Sequence, residues 1–135
     1  MLYLLDACAL LAIFNDEAEA HKVLNLFEQA KTNTVSLSMS IVQLLEVYYD
    51  RIYVAGEADA RIIVKSIITE PISIIENIPY TVMYEAGRFK TSYSMSLADS
   101  ILCATAKNLA ATIVTKDDEL KAPEQAGEIS VLWLK

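Results

Sequence analysis

Hydrophobic residues in this chain fall into short runs separated by charged and polar breaks. Leu2-Tyr3-Leu4-Leu5 is an unbroken apolar run ending at Asp6, the pattern of a strand buried on both faces. A helix is predicted over 7–14, and a second over 17–31 with Val23, Leu24, Phe27 and Ala30 on one stripe. Residues 34–38 read as a second strand, and 40–54 as a helix closed by Gly56. The stretch 57–69 is the next helix, with Ala60, Ile63, Val64, Ile67 and Ile68 turned inward and Pro71 as its stop. A third strand is predicted over 72–75, and Pro79 can open a helix running to Phe89. The clearest helix covers 97–111, with Ile101, Ala104, Thr105 and Leu109 on its apolar side. Residues 112–115 and 129–133 complete the set as a fourth and a fifth strand. Strands alternating with helices imply an α/β fold in three layers, α/β/α, around a mostly parallel sheet of five strands. In such sheets, sites form beyond the carboxyl ends of the strands, where Asp6 and Asp117 are both expected.

Composition narrows the class. With 135 residues, the expectation is one domain spanning 1–135 with a sizeable core. The chain is 54% hydrophobic with a mean hydropathy of +0.33, yet its longest apolar stretch, around 7–14, is far short of the ~20 residues that cross a bilayer. Its first residues carry no basic region followed by a cleavage site, so a cytoplasmic protein without a membrane role is expected. The apolar surplus points to a buried partner interface.

The net charge of −7 argues against a basic nucleic-acid-binding face, and four added positive charges from two divalent ions would still leave −3. Any nucleic-acid contact must then be local and ion-assisted, or use basic residues gathered by folding, from among Lys22, Lys31, Arg88, Lys90, Lys107 and Lys116. Cys8 and Cys103 form no CxxC pair, which excludes a zinc ribbon and leaves them as small buried thiols. The single histidine, His21, lies on a solvated helix with no nucleophile motif, which argues against Ser-His-Asp and Cys-His chemistry.

Chemistry then rests on four acids, each with a structural alternative. Asp6 can cap the helix that begins at Ala7. Glu46 borders an apolar stripe and can be a surface residue at its edge. Ser96-Leu97-Ala98-Asp99 fits a capping box, and Asp99 at a helix start is electrostatically favoured as an anion. Asp117 competes with Asp118 and Glu119 after the fourth strand, where all three can serve as turn and first-turn acids. Asp117 is preferred because it is nearest the strand end. Converging carboxylates repel one another unless a cation is present. The oxygen donors suit Mg²⁺ or Mn²⁺, and two such ions suit phosphodiester hydrolysis.

Read together, these segments resemble the PIN-domain ribonucleases, and within them the VapC-type toxins of prokaryotic toxin–antitoxin pairs. The opening Leu4-Leu5-Asp6-Ala7-Cys8-Ala9-Leu10-Leu11-Ala12 is similar to the family's strand ending in Asp followed by a small-residue helix. Glu46 falls in the expected mid-chain helix. The closest match is Leu97-Ala98-Asp99-Ser100-Ile101-Leu102-Cys103-Ala104-Thr105-Ala106, which leads into Thr112-Ile113-Val114-Thr115-Lys116-Asp117-Asp118-Glu119-Leu120. The resemblance covers nearly the whole chain. It implies Asp6, Glu46, Asp99 and Asp117 as Mg²⁺ or Mn²⁺ ligands, with Thr115 and Asp118 in support. It also implies endonucleolytic cleavage of RNA, a homodimer and a cognate antitoxin. Ala7 replaces the Thr or Ser that often follows the first Asp, and Leu120 replaces a frequent Phe.

Three other readings compete. One is an RNA-processing PIN nuclease without an antitoxin, and another a non-catalytic PIN-like interaction module. A phospho-acceptor receiver domain is disfavoured, because Asp6 is followed by Ala7 rather than by a second acid.

Overall fold

The computed structural model describes residues 1–135. Five parallel strands form one sheet: β1 (Leu2–Leu5), β2 (Ser36–Ser40), β3 (Ser73–Ile75), β4 (Thr112–Thr115) and β5 (Ser130–Trp133). Their spatial order is β3-β2-β1-β4-β5. The helices are α1 (Ala7–Phe14), α2 (Ala20–Lys31), α3 (Ile41–Ala55), α4 (Glu57–Ile68), α5 (Tyr80–Ser92), α6 (Leu97–Leu109) and α7 (Lys121–Gln125). A 3₁₀ turn, Asp118–Leu120, joins β4 to α7.

Each strand residue faces the opposite side of the sheet from its neighbour, and this sorts the interior into two cores. Leu5 and Val114 face Leu10, Val23, Phe27, Val47 and Ile67, in the core built with α1 to α4. Leu4 and Ile113 face Val82, Phe89, Leu102 and Leu120, in the core built with α5, α6 and the 3₁₀ turn. The expected three-layer α/β/α arrangement is therefore present.

Several boundaries differ from the sequence reading. The helix expected from residue 17 begins at Ala20, because Asp16 adopts a left-handed conformation (φ 53°) and 17–19 form a turn. The second strand lies at Ser36–Ser40 rather than 34–38, set by the register Leu2↔Ser36 and Leu4↔Ser38. Ser40 thus ends β2 and also caps α3, its hydroxyl accepting from the Val42 amide at 3.2 Å. The last long helix stops at Leu109 rather than 111, because Ala110 turns left-handed (φ 52°, ψ 41°).

Chain order and spatial order together position the site. From β1, the sheet grows outward through β2 and β3 on one side and through β4 and β5 on the other. The crossover direction reverses between β1 and β4, so their carboxyl ends flank the crevice where α/β sheets place ligands.

Candidate metal centre

Asp6 leaves β1 at its carboxyl end and caps α1, its Oδ1 accepting from the Ala7 amide at 2.7 Å. Its other oxygen, Oδ2, accepts from the Thr115 hydroxyl at 2.7 Å and faces the Cys8 thiol at 3.5 Å. Thr115, fully buried at the end of β4, also accepts from the Asp117 amide at 3.0 Å. One hydroxyl therefore fixes both the Asp6 carboxylate and the turn that carries Asp117. Asp99 sits in the first turn of α6, its amide donating to the Ser96 side chain at 3.1 Å. Asp6 thus caps α1 and also lies in the acidic pocket, and Asp99 lies within the Ser96-capped turn.

Ligand oxygens of Asp6, Asp99 and Asp117 all lie within 4.8 Å of one another. Glu46 projects from α3 into the same pocket of about 340 Å³, outside that close trio. Asp118 does not line the pocket; it is exposed and pairs with Lys121 at 3.0 Å. Glu119 takes the inward place, its Oε2 accepting from the Ser96 amide at 3.1 Å. Asp50 lines the same pocket one turn beyond Glu46. That i,i+4 spacing on α3 is a signal the sequence carried. Cys8 also lines it, half-buried rather than fully buried, while Cys103 is buried as expected.

The electrostatics follow from burial and crowding. Burial pushes the Asp6 carboxyl up, opposed by the bonds from Thr115, Ala7 and Cys8. Burial and the charges of Asp6 and Asp117 raise Glu46. Asp99 is pushed up to about 9, first by burial, then by hydrogen bonds with Glu119 and Asp117 that favour its protonated form. Glu119 is lowered by the same bond. Burial and the Asp6 charge raise the Cys8 thiol to about 12, which keeps it protonated at neutral pH.

No basic side chain lines this pocket. Four of the six candidate cations form ion pairs elsewhere: Lys31 with Glu28, Arg88 and Lys107 with Glu128, and Lys116 with Glu17. Lys90 forms none, and its charge helps to lower Glu119 at the pocket. Lys22 donates to the Leu134 carbonyl. Three converging carboxylates without a counter-charge, one of them held protonated, form a donor set that a hard divalent cation fits. The oxygen-only trio suits Mg²⁺ or Mn²⁺ better than a thiolate-binding metal.

Fold and site together define a parallel-sheet α/β protein with a carboxylate-lined crevice at its topological switch point. The family model for the PIN domain matches residues 3–125, and the chain belongs to that family. Comparison with curated protein sequences gave no match. Among solved structures, the chain is similar to VapBC2 from Rickettsia felis bound to a promoter DNA fragment, with 17% identity over 98% of each chain and a TM-score of 0.76. A toxin–antitoxin complex from Klebsiella pneumoniae gives 19% identity over 98% of each chain and a TM-score of 0.71. DNA-bound VapBC from Salmonella typhimurium gives 16% identity over the full length of both chains and a TM-score of 0.70. At these identities the likeness is one of fold.

Proposed function

We propose that this protein is a metal-dependent endoribonuclease, the toxin of a toxin–antitoxin pair, hydrolysing RNA phosphodiester bonds. The observation that carries the proposal is the convergence of Asp6, Asp99 and Asp117 within 4.8 Å in a pocket that Glu46 also lines and no cation neutralises. PIN domains are generally nucleases, which agrees with this chemistry.

In this reading Asp6, Asp99 and Asp117 hold Mg²⁺ or Mn²⁺, with Glu46 completing the set across the pocket. A bound ion would supply Lewis-acid chemistry, neutralising phosphate charge and activating water. The chain's own residues do the rest. Thr115 and the Ala7 amide hold Asp6 in one orientation. Asp99 would hold an ion only in its deprotonated form, so ion binding would strengthen as pH rises. Asp118 is left a peripheral role on the rim.

Partners follow from what the pocket and surface lack. A pocket of carboxylates suits inhibition by a Lys or Arg side chain from an antitoxin, and the solved VapBC and toxin–antitoxin complexes of this fold support such a partner. The apolar surplus lies partly on exposed residues Leu45 and Tyr53 of α3 and Tyr80, Met83 and Tyr84 of α5, which supports a homodimer. No helix is long and apolar enough to cross a membrane; in this reading the protein acts in the cytoplasm.

The test is cleavage of total cellular RNA by the purified protein, in Mn²⁺ or Mg²⁺ against EDTA, with Asp99→Asn as control. Discrete fragments that need the metal and vanish in the variant are expected. Cleavage that survives in Asp99→Asn would refute the assignment, and absence of cleavage by the wild type would favour a binding module.

A further inference from the structure

Gln43 is fully buried, and its side chain makes the only hydrogen bond between α3 and α6. Its Nε2 donates to the Ala98 carbonyl at 2.9 Å. Its Oε1 is buried with no partner. The Ala98 carbonyl fixes the orientation of the amide, since only the NH₂ end can donate to it. One of this amide's two N–H donors is therefore spent on that carbonyl, and its oxygen accepts nothing.

Stability does not explain such a residue. A buried acceptor without a donor is unfavourable, and an apolar side chain of similar volume avoids the penalty. What the amide does uniquely is join two site-bearing elements. Gln43 lies one helical turn before Glu46, on the same side of α3. Ala98 directly precedes Asp99, in the first turn of α6. That turn is held at two further points, by the Ser96 hydroxyl on the Asp99 amide and by Glu119 on the Ser96 amide. Neither of these reaches α3.

We infer that Gln43 is a positioning residue, which clamps the first turn of α6 to α3 and so sets the separation of the Asp99 and Glu46 carboxylates for ion binding. The inference rests on the metal-dependent reading of the pocket. It assigns Gln43 no contact with ion or substrate.

The experiment measures the Mn²⁺ concentration that half-saturates the purified protein in a calorimetric titration, for wild type and Gln43→Met. Amide hydrogen exchange at Asp99 to Leu102 is followed in the metal-free proteins. Methionine matches the volume and removes both the clamp and the orphaned acceptor. The expected result is a melting temperature close to wild type in EDTA, a half-saturating Mn²⁺ concentration raised about 10- to 100-fold, and faster exchange in the first turn of α6. Unchanged Mn²⁺ affinity and unchanged exchange would overturn the inference. Gln43→Leu is the second variant if methionine does not fold. Failure of both to fold would make Gln43 a folding determinant and would also overturn it. A wild-type protein that ignores Mn²⁺ would overturn the metal reading and this inference together, whereas a variant that keeps the full response overturns only the role of Gln43.

Discussion

Thr115 is the residue on which the site's geometry converges. Its hydroxyl donates to Asp6 and accepts from the Asp117 amide, while its backbone carbonyl accepts from the Leu134 amide. Thr115→Val keeps the shape and removes the hydroxyl. Asp6 then loses a bond that favours its charged form, and the part-buried Asp117 amide loses its acceptor, a cost of about 1–3 kcal/mol. The expected outcome is a lower urea midpoint in EDTA and Mn²⁺ affinity weakened about 10- to 100-fold, by calorimetric titration. Wild-type affinity in a destabilised protein would reduce Thr115 to a packing role. At this scale the sequence was legible where a residue's type and position coincide. Asp6 follows a strand and Asp99 opens a helix, and both reach the pocket. It was not legible for Glu119 and Asp118, two adjacent acids whose directions are decided by a single 3₁₀ turn. That turn bonds Glu119 to the Ser96 amide and leaves Asp118 in solvent.

Helix ends show where local signals suffice and where they do not. Gly56 was readable as the stop of α3, and it sits at φ 89°, ψ 168°, a conformation closed to residues with a Cβ. Nothing lies within 4 Å of where a Cβ would project, so the requirement is backbone conformation alone. Gly56→Ala is therefore expected to lower stability by about 1–3 kcal/mol, seen as a reduced urea midpoint at an unchanged slope. An unaltered midpoint would mean that the α3–α4 junction relaxes into another conformation. The end of α6 carried no such signal. Ala110 takes the left-handed position that glycine usually fills, so the helix prediction ran on to 111. The start of β2 was misjudged for a related reason. Apolar pattern alone does not fix strand register, whereas pairing with β1 does.

Over the whole molecule, the alternation of strands and helices was enough to give the layered fold, and the strand ends were enough to locate the crevice. The distribution of charge was not. Folding pairs Lys31, Arg88, Lys107 and Lys116 with Glu17, Glu28, Glu85 and Glu128, several of them distant in the chain, and leaves the acidic pocket lined by no basic side chain. Exposed apolar residues bear on assembly. Leu45 is 55% exposed, so Leu45→Glu should leave the fold intact and convert the proposed homodimer to a monomer by light scattering coupled to gel filtration. An unchanged mass would place the interface elsewhere.

The uncompensated pocket sets the pH dependence of the whole protein. Asp99 is held near 9, above the ordinary carboxylate value of about 4. Between those values the folded metal-free protein keeps a proton that the unfolded chain has released. Stability from this group is therefore full at the acidic end and falls as pH rises. Glu128, lowered to about 2 by Arg88, Tyr93 and Lys107, acts in the opposite sense at acid pH, where its stabilisation is lost as the carboxylate protonates. In EDTA the melting temperature should thus peak at about pH 4 and decline toward about pH 8.5. Asp99→Asn should flatten the alkaline decline and raise stability there, because it removes the group that must ionise. Saturating Mn²⁺ should reverse the decline in the wild type alone, since the ion needs the deprotonated carboxylates. A wild-type profile already flat in EDTA would mean that Asp99 is ionised without a cation, and the crowding argument for a metal centre would lose its electrostatic basis.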